Sequence, residues 1–300
     1  MNAQGIKSEK HRDQLINNPN YAAQEKLDGM RAIIHICKDG LRIFSRSAGV
    51  NDPTRPLEKT SSLPHLAEIK YQDLVGTILD AEILAPGIDA ASLSGAIHSK
   101  QNGTTNGLVK AFIFDVLRFI GEDLSSKTLH QRIGVSEMLK TQIRSPYLVF
   151  VSWAFTSSDK QKLYDDILKR NGEGVMLKRL DATYVQGGRP SNNWFKAKKS
   201  AEFDCVVMGF SLGKGKYNTQ IGAVRFGQYL NGKLVELGQA SGMTDTDRAL
   251  MTEYPERYLG KVVVIKGMER LKSGAIRHPI FGGMRSDKLP KECIWYRGEQ

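Results

Sequence analysis

Short apolar runs broken by glycine-bearing turns constrain the fold of this 300-residue chain most. Tight turns join neighbouring strands as hairpins. The clearest case is residues 31–37 and 41–44, which flank Lys38-Asp39-Gly40 and predict a hairpin turning at Asp39-Gly40. Further strands are expected at 77–84, 110–117, 147–153, 174–178 and 194–198. Helical spacing is seen in Leu129, Ile133 and the Met138-Leu139 pair, and again in Leu163, Ile167 and Leu168, where the helix should begin near Ser158 and stop at Asn171-Gly172. Past residue 200 short strands dominate, at 203–210, 221–229, 234–238 and 262–267, with one helix at 245–254. About 100 residues of that pattern suit a small β-barrel of the OB type. The reading is α+β: a first domain of antiparallel sheets with helices over residues 1–200, then a barrel over 201–300.

Hydrophobic residues make up 40% of the chain, enough for a proper core. Lys and Arg outnumber Asp and Glu by 43 to 32, a formal charge of +11 that favours a polyanionic partner, nucleic acid before an anionic membrane. The start of the chain lacks the apolar stretch of a secretory signal, and no segment is long enough to span a bilayer. Cys37, Cys205 and Cys293 are far apart and odd in number, which argues against a disulfide framework or a zinc site. A cytoplasmic protein with free thiols is expected.

Within this frame, Glu25-Lys26-Leu27-Asp28-Gly29-Met30-Arg31 sets one lysine beside an acid, a flexible glycine and an arginine. Lys26 sits at the end of the strand before the hairpin, where Asp28-Gly29 bends the chain. It reads as a nucleophile that takes a nucleotidyl group, or as a salt-bridged strand residue. An amine with a pKa of about 10.4 needs roughly 4 kcal/mol to expose its lone pair near neutrality, so a nucleophilic lysine needs cations, desolvation or a metal nearby. Lys196 and Lys198, two apart on one strand, share a face at a spacing of about 6.6 Å while Phe195 and Ala197 turn to the core. That pair suits an α-phosphate, or else forms a solvated basic face. Asp80 and Glu82 share a face by the same rule and either accept from ribose hydroxyls or balance arginines. Glu173 offers an oxygen ligand to a divalent cation. Phe112 and Phe114 share a face, so one ring stacks on a purine or packs in the core. Gly213-Lys214-Gly215-Lys216 lacks the spacing and Ser/Thr of a P-loop and reads as a flexible basic turn.

Taken in order, these residues resemble the ATP-dependent DNA ligases of the covalent nucleotidyltransferase superfamily, in their compact two-domain bacterial or phage form, from about residue 20 to 290. The resemblance implies that Lys26 takes AMP and that Arg46 of Phe44-Ser45-Arg46 engages the nick 5′-phosphate. Glu82 would then hold the ribose, Phe114 stack on adenine and Glu173 support the metal. Lys196 and Lys198 match the two lysines of the last pocket motif, and Arg31 completes the lysine motif as a nucleotide contact. Arg277-His278-Pro279 and Arg285-Ser286-Asp287-Lys288 resemble the C-terminal motif that orients pyrophosphate, with Arg277 and Lys288 on the nucleotide and Arg285 in the chemistry. Asp28, Arg46, Lys214 and Lys216 are expected toward DNA. Gln24 stands where relatives often carry Glu to read the adenine amino group, and its carbonyl is expected to accept that hydrogen bond. ATP with Mg2+, or Mn2+ in its place, nicked duplex DNA as partner, and a monomer are the corresponding expectations.

Two departures go with it. About 25 residues precede Lys26, so a separate N-terminal DNA-binding domain is expected to be missing, and residues 211–220 leave little room for a clamp that encircles DNA. An mRNA capping guanylyltransferase shares the lysine motif and the ending at Arg285 to Lys288, an RNA ligase is a second enzyme rival, and an inert DNA-binding protein is the alternative from another class. Trp194-Phe195-Lys196-Ala197-Lys198 and Arg277-His278-Pro279 favour the DNA ligase.

Overall fold

The computed structural model describes residues 2–6, 8–48, 55–98, 108–186, 190–199, 201–271 and 273–296. The chain divides into two compact units, Met1–Ala197 and Lys198–Gln300.

The first unit runs β1 (Asn2–Gly5), α1 (Glu9–Ile16), β2 (Tyr21–Glu25), β3 (Met30–Cys37), β4 (Gly40–Ala48), β5 (Pro56–Glu58), α2 (Pro64–Ala67), β6 (Ile78–Leu84), α3 (Ala90–His98) and β7 (Lys110–Phe119). It continues with β8 (Glu122–Asp123), α4 (Leu129–Gln142), β9 (Leu148–Phe150), α5 (Ser157–Lys169), β10 (Gly174–Arg179) and β11 (Pro190–Lys198). One sheet has the order β1-β11-β10-β2; the other runs β5-β4-β3-β6-β7-β8, with β9 beside β7. Its larger core is aliphatic, built on Ile34, Ile36, Leu79, Ile83 and Ile113. The smaller sheet packs Val175, Leu177, Phe195 and Ala197 against α1 and α5.

The hairpin forms with its turn one residue earlier than expected. Cys37 pairs with Gly40, so Lys38 and Asp39 make the turn and Gly40 opens β4. Gly40 has φ +142°, and a Cβ there would collide with the Ala67 carbonyl oxygen, which explains why a glycine ends up in the strand. Local signals fix the helices that the periodicity predicts. Thr128 and Gln131 form a capping box at the start of α4, and Thr156 caps α5 by accepting from the Asp159 N–H. α5 stops where Asn171 turns to φ 59° and Gly172 packs against Ile167. The strand expected at 147–153 is short, and α1 and α3 carried no clear periodic signal.

The second unit contains β12 (Ala201–Leu212), β13 (Ile221–Leu230), β14 (Lys233–Ala240), α6 (Asp245–Glu253), β15 (Val262–Gly267) and β16 (Ile280–Arg285). The strand order is β14-β13-β12-β15-β16. Just beyond β14, Ser241 bridges Ile280 in parallel, which brings the two edges of the sheet together. Around the interior lie Val207, Val224, Phe226, Val263 and Ile265. β16 falls where the sequence offered only a charged motif. The basic turn after β12 is anchored rather than loose: Tyr217 donates its hydroxyl to Asp245 at 2.7 Å and lies under the Arg248 guanidinium at 4.1 Å.

Candidate active site

The register between β2 and β10 places the central pair. Glu25 faces Val175 across the antiparallel ladder, so the next residue, Lys26, arrives beside the start of β10, and its N–H donates to the Gly174 carbonyl at 2.8 Å. There the Lys26 ammonium meets Glu173, Nζ to Oε2, at 2.5 Å. Glu173 is almost fully buried, at 5% side-chain exposure against 20% for Lys26. Asp28 is exposed, and Gly29 carries the chain into β3 through a gap where a Cβ would strike the Ile83 carbonyl oxygen.

Arg31 and Glu82 face each other across β3 and β6. Arg31 spends its fork on Asp80, with Nε donating to Oδ1 at 2.9 Å and Nη2 to Oδ2 at 2.6 Å. Tyr184 closes this cluster: its hydroxyl accepts from Arg31 Nη2 at 2.9 Å and donates to Asp80 Oδ2 at 2.8 Å. Asp80 is fully buried on the strand face opposite Leu79, Ala81 and Ile83, and of its two expected roles it takes that of balancing an arginine. Its charge is matched by the guanidinium because an unpaired buried carboxylate would be far too costly. Glu82 instead accepts from the Gly29 N–H at 3.2 Å. Burial pushes its pKa up to about 7, against the opposing pull of Lys26, the Gly29 N–H and Arg31.

Phe114 projects from β7, half-buried, among Trp194, Tyr184 and Met176. The Arg31 guanidinium lies 5.6 Å from its ring centre. Beneath it is a group that the sequence reading missed, Lys178. The side chain is 1% exposed, and Nζ donates to Gln24 Oε1 at 2.7 Å and to the Phe114 carbonyl at 3.2 Å. The rings of Trp194, Phe114 and Trp153 surround it at 4.2, 4.7 and 5.0 Å. Burial lowers its pKa to about 7 although Asp115 and Asp80 pull the other way. The signal was present in Val175-Met176-Leu177-Lys178: the odd positions join the core, so Met176 and Lys178 share the opposite face. Tyr184, in an irregular segment, had no such signal.

Gln24 is also buried, and its polar ends are engaged inside the protein. Its amide nitrogen donates to the Val151 carbonyl at 3.1 Å, while its carbonyl accepts a hydrogen bond from Lys178 Nζ. The carbonyl expected to accept from an adenine amino group thus already holds one hydrogen bond, with a second lone pair remaining.

Lys196 is half-buried on β11, next to β1, where Gly5 is its register partner. Trp194, on the same strand, is buried with its indole N–H unmatched among the described residues. Lys198 ends the strand and opens the second unit, its ammonium 3.9 Å from Met268 Sδ. Arg46 lies on β4, but its side chain is outside the described part of the structure. The remaining expected residues sit on the second unit. Lys214 and Lys216 are exposed, Arg277 donates to Glu269 at 3.2 Å, and Arg285 and Lys288 both bind Asp204. Thus in the first unit Gln24, Arg31 and Phe114 gather about the hidden Lys178, while Lys26 pairs with Glu173 and acts on Glu82.

Among the described residues no helix is long and apolar enough to cross a membrane, and no group of three or more His, Cys, Asp or Glu could hold a metal ion by itself.

A DNA ligase of Natronomonas pharaonis is 28% identical over 91% of this chain and 53% of its own length. The chain spans about half the length of such curated relatives. A solved structure described as Pmar-Lig_Pre superposes with a TM-score of 0.70 at 19% identity, covering 95% of this chain and 67% of that one. Another, described as "DNA binding with a minimal scaffold: Structure-function analysis of Lig E DNA ligases", gives 0.62 at 20% identity over 95% and 99% of the two chains. Those two likenesses concern the fold. Residues 1–198 match the ATP dependent DNA ligase domain, and with that match covering most of the sequence the chain belongs to the ATP-dependent DNA ligase family.

Proposed function

We propose that the chain seals nicks in duplex DNA through a lysyl-AMP intermediate. The observation that carries this reading is the Lys26–Glu173 contact at 2.5 Å beside a half-buried Phe114 and the fixed Arg31–Asp80–Tyr184 cluster, in a chain of this family. Lys26 Nζ attacks the α-phosphate of ATP and pyrophosphate leaves. AMP then passes to the nick 5′-phosphate, and the 3′-hydroxyl finally displaces AMP. Positioning and electrostatics supply most of the catalysis in such transfers.

Each side chain has a task in that sequence. Lys26 Nζ is hydrogen-bonded to Glu173 and must give up a proton, for which that carboxylate is the adjacent acceptor, and turn from it before its lone pair can meet phosphorus. Arg31, held on Asp80 and Tyr184, keeps a defined orientation next to Glu82, the ribose contact. Phe114 presents a ring face to adenine, with Lys178 and Gln24 below it. Lys196 offers positive charge to the α-phosphate, joined by Lys198 in the carried-over motif. One buried carboxylate fits Mg2+, which is commonly held by one or two carboxylates together with substrate phosphates. Glu173 would hold that ion, which would offset phosphate charge and favour the departure of pyrophosphate.

For the second unit we read an OB-fold domain over residues 201–300, after a nucleotidyltransferase domain over 1–200. Supporting this are the five strands in the order β14-β13-β12-β15-β16, the return of β16 to the end of β14, and a helix between the third and fourth strands. Its basic residues, with Lys214 and Lys216 in an exposed turn, suit duplex backbone.

The test is labelling followed by denaturation. Protein incubated with α-labelled ATP and Mg2+ should retain label, Lys26→Ala should retain none, and the wild type should seal nicked duplex DNA. Stable label from GTP alone, or nick sealing by Lys26→Ala at the wild-type rate, would sink the reading.

A further inference from the structure

Arg285 and Lys288 are tied to one carboxylate that no motif includes. Asp204, on β12, accepts from Arg285 Nη1 and from Lys288 Nζ through the same oxygen, Oδ2, each at 2.8 Å. Asp287 takes the other edge of the guanidinium, with Nε at 2.8 Å and Nη2 at 3.0 Å. The register explains the reach. Asp204 faces Val264 on β15, Val264 faces Gly283 on β16, and Arg285 is the last residue of that strand. The three charged groups thus meet across neighbouring strands.

Asp204 itself is firmly placed. Its backbone carbonyl accepts from the Gln228 amide at 2.7 Å, and Gln228 Oε1 accepts from Arg270 at 2.6 Å. Arg270 in turn lies over Phe203 and Trp295, at 5.1 and 5.6 Å. The Asp204 side chain is 19% exposed, against 39% for Arg285. A half-exposed arginine at a strand end samples many rotamers, and ordering it costs entropy that a preset contact removes in advance. A single oxygen shared by a guanidinium and an ammonium also fixes the distance between the two cations. Arg285 has five N–H groups and Lys288 three, more than these contacts consume, so both can still donate to an arriving anion. Burial pushes the pKa of Asp204 up, but the two cations outweigh it and hold the carboxyl below its ordinary value, so the anchor stays charged at neutral pH.

We propose that Asp204 is a positioning residue for the Arg285–Lys288 pair, holding both cations side by side so that they grip one phosphate group of pyrophosphate together. This rests on the proposed lysyl-AMP function and on the resemblance of Arg285-Ser286-Asp287-Lys288 to the motif that orients pyrophosphate, and it adds Lys288 to Arg285 in that role. A bland surface ion pair would contribute little and its loss would not be felt in one step only. A carboxylate that competed with pyrophosphate would give the opposite sign, since its removal would tighten the grip.

The decisive experiment uses the full chain and reads the first step in reverse. Lysyl-AMP enzyme carrying labelled AMP is treated with increasing pyrophosphate, and loss of label is followed. In Asp204→Ala the half-saturating pyrophosphate concentration should rise about tenfold, with a similar fall in the forward labelling rate. Asp204→Glu should recover part of the loss. Sealing of a nick that already carries AMP involves no pyrophosphate, and Asp204→Ala should perform it within about twofold of wild type. Unchanged pyrophosphate dependence in Asp204→Ala, a tighter grip, or an equal loss on the pre-adenylylated nick would each overturn the proposal. Arg285→Ala separates the two layers. If it weakens pyrophosphate while Asp204→Ala does not, only the positioning role falls; if it has no effect, the reading of the cluster falls, and the role of Asp204 with it.

Discussion

The two units handle charge in opposite ways. In the first, the deepest charges are buried and interlocked, while others pair at the surface, as Lys169 and Asp166 do at 77% and 50% exposure. Arg132 and Asp115 are 0% and 1% exposed, Asp80 is wholly buried under Arg31 and Tyr184, and Lys178 sits within three rings. In the second, the pairs lie at the surface, as Arg225 and Glu236 do at 45% and 39% exposure. Buried groups feel a low dielectric, so their pKa values move and their geometry is fixed before any ligand arrives. Exposed groups are screened, so most such pairs contribute little unless a shared anchor such as Asp204 holds them. A nucleotide pocket needs the first arrangement and a phosphate-gripping surface needs the second.

That contrast can be broken most sharply at Arg132. Asp115→Asn leaves its guanidinium buried without a matching charge and should cost about 3–5 kcal/mol, measured by chemical denaturation. A much smaller loss would mean that water reaches the pair. Lys178 comes next. Its folded pKa of about 7 lies below the ordinary value of 10.5, so between these limits the unfolded chain binds more protons and stability should rise with pH, by up to about 1.4 kcal/mol per unit. Lys178→Met should flatten that rise between pH 7 and 9 in urea unfolding; an unchanged slope would refute a buried, largely neutral amine.

Glu82 gives the opposite slope over a narrower window. Its folded pKa of about 7 exceeds the ordinary 4.5, so in this interval the folded chain binds more protons and stability should fall as pH rises. Glu82→Gln mimics the protonated form. Thermal melts should show it more stable than wild type at pH 8, with the advantage shrinking by pH 5. The smallest effect belongs to the surface: Arg225→Ala should leave the melting midpoint where it was. A clear drop there would undo the contrast between the units.

Much of the molecule was legible along the chain. The β3–β4 hairpin, α4, α5 and α6, and the change to short strands after residue 200 follow from local spacing, caps and turn residues. Lys26, Glu173, Glu82, Phe114 and Lys196 could be singled out because strand alternation and motif order act over a few residues. Other features depend on partners distant in sequence. Arg31 looked like a nucleotide contact, yet its fork is held by Asp80 and Tyr184, 49 and 153 positions away. Gln24 gave no sign in the sequence that Lys178 on the neighbouring strand would donate to its carbonyl.

The sequence by itself determined the β3–β4 hairpin, α4, α5 and α6, the basic charge and the choice of Lys26 as candidate nucleophile, since each depends on residue chemistry and short-range geometry. Tertiary structure alone decided which acids stay open and which are consumed, that a lysine lies hidden under the pocket, and that one aspartate links Arg285 with Lys288. The reason is physical: desolvation and pairing depend on what packs around a group, and strand register brings those neighbours from far along the chain.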